Sequence, residues 1–156
     1  MPPERFSIAQ VTPYAWEQHH EVNRFVERLS DELCARGHRV VVVAPSESRE
    51  LIRESRARIR RMADDPDAAF DPTGCASVLA VGQSLPARRG GSVSLPVDVS
   101  RTIESTLDAA RLDFVHVHEP FAPSASSAAL RHSCEIMSTT YSVNPCLLVL
   151  LTTSYR

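Results

Sequence analysis

Titratable side chains gather at two places in this sequence. One is the run His116-Val117-His118-Glu119-Pro120, where two histidines stand two apart and a carboxylate follows. Residues two apart on a strand share a face, so His116 and His118 can meet one ligand or one metal ion. No acidic cluster accompanies them, which leaves the metal reading without a full ligand set. Two readings stand for His118: a strand-end imidazole satisfied by backbone groups, or one that faces a ligand. The other place is the run from Pro13 through Tyr14 to His19 and His20.

The elements that must position these groups follow from periodicity. Residues 6–12, with Ile8 and Val11, read as a buried strand closed by Pro13. Val22, Phe25, Val26, Leu29 and Leu33 form one helical stripe over residues 21–36, and Gly37 ends that helix. Residues 40–44 are a β-branched run suited to a parallel strand covered on both faces. Together these make a βαβ unit.

A helix over residues 48–62, capped by Ser46 or Ser48, is followed by an acidic, proline-bearing loop over 63–74. Residues 77–81 form a third strand, 88–91 a turn, and 93–99 an extended piece made irregular by Pro96. Ser100 is expected to cap a helix to residue 110. Residues 114–118 form a fourth strand, 124–132 a small-residue helix, and 136–141 a candidate further strand. The alternation predicts an α/β fold: a Rossmann-like, doubly wound, mostly parallel sheet. Ligands bind outside the carboxyl ends of such strands, where strand order reverses. Both titratable segments fall at such ends.

Residues 112–124, containing Asp113, His116, His118, Glu119 and Pro120, resemble the D-x-x-H-x-H-E-P strand end of family 4 glycosyltransferases. They are most similar to the phosphatidylinositol mannosyltransferase-like members. The opening Val11-Thr12-Pro13-Tyr14, then Arg36-Gly37-His38-Arg39-Val40 and Val43-Ala44-Pro45, follow the same pattern at matching distances. The resemblance spans residues 6–132 and implies one half of a GT-B architecture, two Rossmann-like domains facing across a cleft. It implies a retaining hexosyltransferase that moves a sugar from a nucleotide-sugar to a lipid or small-molecule acceptor. Residues 1–132 would be the N-terminal, acceptor-side domain. The donor-binding C-terminal domain is expected to be absent, and the isolated chain is expected to lack full activity.

By the same resemblance, His118 and Glu119 are the expected catalytic residues. Tyr14, His19, His20, His116 and Pro120 are the expected substrate-binding ones. An imidazole at His118 can hydrogen-bond a sugar hydroxyl and stabilise charge as the glycosidic bond breaks. Glu119 can orient it or accept from the sugar, and a helix starting near Ser124 aims its positive end there.

Two departures stand out. Where family members carry a glycine pair that admits donor phosphates, this sequence has His19, His20 and Glu21. Where they carry T-x-H, it has Thr139-Thr140-Tyr141. An alternative is a degenerate, non-catalytic binding module. An unrelated Rossmann-like nucleotide-binding protein is disfavoured by the absence of G-x-G-x-x-G or a P-loop after the first strand.

The helix over 48–62 carries Arg49, Arg53, Arg56, Arg58, Arg60 and Arg61. A basic amphipathic helix can lie on an anionic membrane, with Arg53, Arg56, Arg60 and Arg61 as the expected contacts. The other reading is a solvated face with local pairs such as Glu54 to Arg58. The net charge of −2 gives no global pull toward nucleic acid. Four scattered cysteines without a C-x-x-C pair argue against a structural zinc site or a disulfide framework, and no cofactor is expected. No signal-peptide pattern opens the sequence, and the apolar run at 146–151 is too short to span a bilayer. The expected location is the cytoplasm or the inner face of the cell membrane. Residues 133–156 hold Glu135 and Arg156 as their charged members and no alanine, a change that suggests a truncated or frameshifted end.

Overall fold

The computed structural model describes residues 5–85, 93–94, 96–119, 125–140 and 148–152, with side chains over 5–82, 100–119 and 125–133. Pro120, Tyr141 and the expected turn at 88–91 lie outside the described residues. In chain order the elements are β1 (Ser7–Val11), α1 (Glu21–Ala35), β2 (Arg39–Ser46), α2 (Arg49–Met62), β3 (Ser77–Leu85), β4 (Val93–Ser94), α3 (Pro96–Ala109), β5 (Phe114–His118), α4 (Ala125–Thr140) and β6 (Leu148–Thr152). The sheet order is β4-β3-β2-β1-β5-β6. Every pairing is parallel except the short β3–β4 ladder. This is the Rossmann-like α/β fold expected from the alternation of patterns.

Alternate valines of β2 explain why its run needs no polar face. Val41 and Val43 join Met62, Ile103, Leu107, Ala125 and Ala129 in one core layer. Val42 and Ala44 face the other way, onto Val26 of α1. The small residues Ala125 and Ala129 let α4 approach the sheet closely, and His132 Nε2 ties α4 to Asp108 of α3 at 2.9 Å. Gly37, at φ +91°, ends α1 as its position suggested. The bonds His38 N–H to Leu33 O and Gly37 N–H to Cys34 O, 3.1 and 2.9 Å, make a Schellman cap.

The base of the sheet is pinned by Asp113. Its carboxylate accepts from Ser7 N–H at 2.8 Å while its own N–H donates to Ser7 O at 2.9 Å. The aspartate of the D-x-x-H pattern therefore fixes the β1–β5 register and stands at the strand end opposite His118.

Several sequence expectations are corrected. The fully buried positions of α1 are Asn23, Val26 and Ser30, whereas Phe25 is 49% exposed. The helix is turned so that a polar side chain can brace a loop, which apolar spacing cannot reveal. Helix α3 starts at Pro96 rather than at Ser100. Proline is favoured in the first helical turn, where its missing N–H has no partner to lose. Helix α4 runs on to Thr140, so residues 136–140 are helical and not a strand. Residues 133–140 contain neither glycine nor proline to stop the helix. Within the 63–74 segment, Pro66–Ala69 is a 3-10 turn that buries Ala69, with Phe70 buried just after it.

Helix α2 does not form the expected Glu54–Arg58 pair. Arg58 instead donates from Nε to Ala68 O at 2.7 Å and from a terminal nitrogen to Ala69 O at 3.2 Å. On the same helix, the buried Ser55 Oγ accepts from the N–H of Ala80, on the outer edge of β3, at 2.8 Å. A helix thus covers an edge that would otherwise present unpaired donors. Replacing Ser55 with alanine leaves the Ala80 N–H buried and unpaired. The expected loss is about 1–3 kcal/mol, read as a lower urea midpoint at unchanged m-value.

Candidate functional site

The chain leaves β1 toward β2 and leaves β5 toward β6, so connections depart in opposite directions from two adjacent strands. That reversal opens a crevice at the carboxyl ends of β1 and β5. His118 ends β5, and the segment 12–20 follows β1.

The segment after β1 is held by specific bonds. Thr12 N–H donates to Val43 O at 3.1 Å and Trp16 N–H to Pro45 O at 2.9 Å, which ties it to the end of β2. Asn23, 4% exposed, accepts from Thr12 Oγ1 at 2.8 Å and donates to Ala15 O at 2.7 Å and Gln18 O at 3.3 Å. Glu17 takes bonds from Ser46 Oγ, Glu47 N–H and Ser48 N–H. Burial pushes the Glu17 carboxyl up, but these hydrogen bonds prevail and hold it below its ordinary range.

The two histidines of this segment take different positions. His19 is exposed. His20 is the N-cap of α1: its Nδ1 accepts from Val22 N–H at 3.2 Å, and its ring stacks on Tyr14 with centroids 3.5 Å apart. The first turn of α1 is thereby covered by an imidazole and carries Glu21. A helix start in this state lacks the open, positive cradle that phosphate groups seek.

At the end of β5, His118 is 1% exposed and its Nε2 lies 2.8 Å from Gln10 Oε1. The His116 and His118 ring centroids are 4.1 Å apart, and the Phe25 ring meets His118 edge-on at 5.8 Å. Burial drives the His118 pKa to about 3, and the adjacent His116 imidazole adds to the effect. Burial likewise lowers His116. Both rings are neutral near pH 7, so they act as hydrogen-bonding groups and not as cations. Glu119 follows at φ +50°, a left-handed backbone costing about 1–2 kcal/mol for a residue with a Cβ. Strain of this kind turns the chain sharply just where the strand leaves the sheet.

The structure thus brings His116 and His118 together, with Glu119 next in the chain, and pairs Tyr14 with His20 on the neighbouring segment. Among the described residues, no group of three His, Cys, Asp or Glu side chains could hold a metal ion. Gln10, Asn23 and Phe25 were missed from the sequence. A lone polar residue inside the apolar run of β1, and an asparagine beside the α1 stripe, were the available signals. The spacing of Phe25 fits the core stripe and so hides its place beside His118.

A separate cavity of about 870 Å³ lies among residues that include Arg5, Arg39, Arg58, Arg61, Asp65 and Asp67. Arg39 opens β2, so this cavity borders the amino-terminal end of the sheet, opposite the crevice. Arg39 there is committed to Ser7 Oγ, Asp67 and the face of Phe70.

A doubly wound parallel sheet with its polar corner at the strand-order reversal defines a Rossmann-like α/β domain, consistent with one half of a GT-B enzyme. The chain belongs to glycosyltransferase family 4: the model of that family, described as Glycosyltransferase Family 4, matches residues 22–151. No curated protein matches the sequence. Membership makes this a glycosyltransferase-like N-terminal domain, whose partners in general are a sugar donor and an acceptor.

Neutral, buried histidines have a measurable consequence. In the unfolded chain a histidine gains its proton near pH 6.5, whereas folded His118 resists protonation down to about 3. The unfolded state therefore binds more protons across that window, and stability falls as pH drops below about 6.5. Urea midpoints should decline from neutral pH to about pH 5. In His118→Gln that decline should be visibly shallower. Equal slopes in the two proteins would contradict the burial of a neutral His118.

Proposed function

We propose that this domain is the acceptor-side half of a retaining hexosyltransferase that moves a sugar from a nucleotide-sugar to a lipid or small-molecule acceptor. The observation that carries the reading is the His116–His118–Glu119 corner at the β1/β5 reversal of a family 4 chain. In this reading His118 meets a sugar hydroxyl as a neutral imidazole, and Glu119 accepts from a neighbouring hydroxyl. Tyr14 and His20, stacked on the segment after β1, are the further acceptor-binding residues of this reading. Donor phosphates are held elsewhere, because the start of α1 is already covered by His20. The mannosyltransferase-like subtype and a cytoplasmic location belong to the same proposal.

Labelled protein titrated with an alkyl mannoside or inositol should show amide shifts at Tyr14, Phe25, His118 and Glu119. GDP-, UDP- and ADP-sugars should leave its melting temperature nearly unchanged. A rise of several degrees with a nucleotide-sugar, without any polyol response, would reject the acceptor-side assignment. Silence in both assays favours a non-catalytic module, a reading that the covered helix start also supports.

Peripheral contact with an anionic membrane is part of the proposal. Arg53, Arg56, Arg60 and Arg61 are exposed on α2, and the first three recur at helical spacing on one face. No helix among the described residues is long and apolar enough to cross a membrane. Each basic residue near an anionic surface contributes about 1 kcal/mol, so replacing Arg53, Arg56 and Arg60 with glutamate should weaken vesicle binding about 100-fold or more. Co-sedimentation with phosphatidylserine vesicles at low salt measures it. Wild-type protein that stays in the supernatant refutes the contact.

A further inference from the structure

We propose that Gln10 is a positioning residue that holds His118 as the neutral tautomer protonated on Nε2. The ring then carries a lone pair on Nδ1 and no positive charge, so a hydroxyl that reaches it would donate to that nitrogen. Contact with a ligand hydroxyl rests on the acceptor-side reading; the tautomer itself does not.

Gln10 is out of place by composition. It sits in β1 between Ala9 and Val11 and is 1% exposed, where an aliphatic side chain would pack without cost. A buried carboxamide is destabilising unless it is hydrogen-bonded. Its partner is set by register: Gln10 stands directly across from His116, and His118 is the next residue of β5 on that face. The bond spans 108 residues of sequence and joins two side chains that are each 1% exposed.

The chemistry follows from the partner atom. With its oxygen turned toward the ring, the Gln10 carboxamide accepts and cannot donate, so the imidazole nitrogen facing it at 2.8 Å carries the proton. A neutral imidazole with Nε2–H has its lone pair on Nδ1. The surroundings disfavour a second proton. The ring is 1% exposed, His116 lies against it from the same strand, and α1 contributes the apolar Phe25 ring. A site built this way recognises hydroxyl groups and does not form an ion pair with a phosphate.

The test is a long-range proton–nitrogen spectrum of the histidine side chains in the labelled full chain, with His118 assigned by loss of its signals in His118→Gln. The expected pattern is the Nε2–H tautomer from neutral pH to about pH 5. Gln10→Leu, close in volume, removes the acceptor and should give a mixture of tautomers. Gln10→Glu puts a carboxylate at the same nitrogen and should turn His118 into an imidazolium near neutral pH. An Nδ1–H or doubly protonated His118 in the wild type would overturn the proposal. So would an unchanged tautomer in a folded Gln10→Leu. If that variant does not fold, the wild-type and Gln10→Glu spectra decide. None of these spectra needs a sugar, so a failed polyol titration would refute the acceptor-side reading and leave this result standing.

Discussion

Strand β1 is hydrogen-bonded in parallel on both sides, to β2 and to β5, and the rest of the domain is arranged around that fact. A strand paired in parallel on both sides cannot be reached by a tight hairpin, so each neighbour requires a crossover. The crossovers leave in opposite directions, and the crevice between them is a geometric result of connectivity. Ser7 and Asp113 fix the sliding position of β5 against β1 at the base. That same register decides which side chains meet at the other end, because a slip of one residue would turn His116, His118 and Gln10 to different faces.

The electrostatic character of the crevice comes from burial. Two histidines at a strand end could carry charge if they stood in water. Desolvation reverses it: His116 and His118 are held neutral by the protein around them. The starts of α1 and α2 are capped as well: His20 accepts from the first turn of α1, Ser48 from that of α2, and Glu17 from the two N–H groups just before α2. On the proposed reading, such a corner suits uncharged hydroxylated groups better than phosphates.

Much of this was legible from the residues. The valine run of β2, the glycine after α1 and the order of elements gave the sheet, because parallel strands covered on both faces leave a strong apolar signature. The strand-end histidines could be located by connectivity alone. What the sequence hid was the use of polar side chains inside the fold. Asn23 and Ser55 look like solvent-facing positions until their backbone partners are known, and those partners lie in other elements. The turn of α1 about its own axis follows from Asn23 reaching the loop, so Phe25 could not be placed by spacing. Pro96 illustrates a different limit, since the same residue can end an extended segment or begin a helix.

Glu17 carries one more implication. Its carboxylate belongs to the loop after β1 in sequence but to the start of α2 by hydrogen bonding, so neither segment can shift without stripping the other of partners. The β1 side of the crevice is therefore assembled before any ligand arrives, and little entropy of that loop remains to be lost on association. Recognition at this rim should behave as a fit to a fixed shape, with selectivity arising from what the shape excludes.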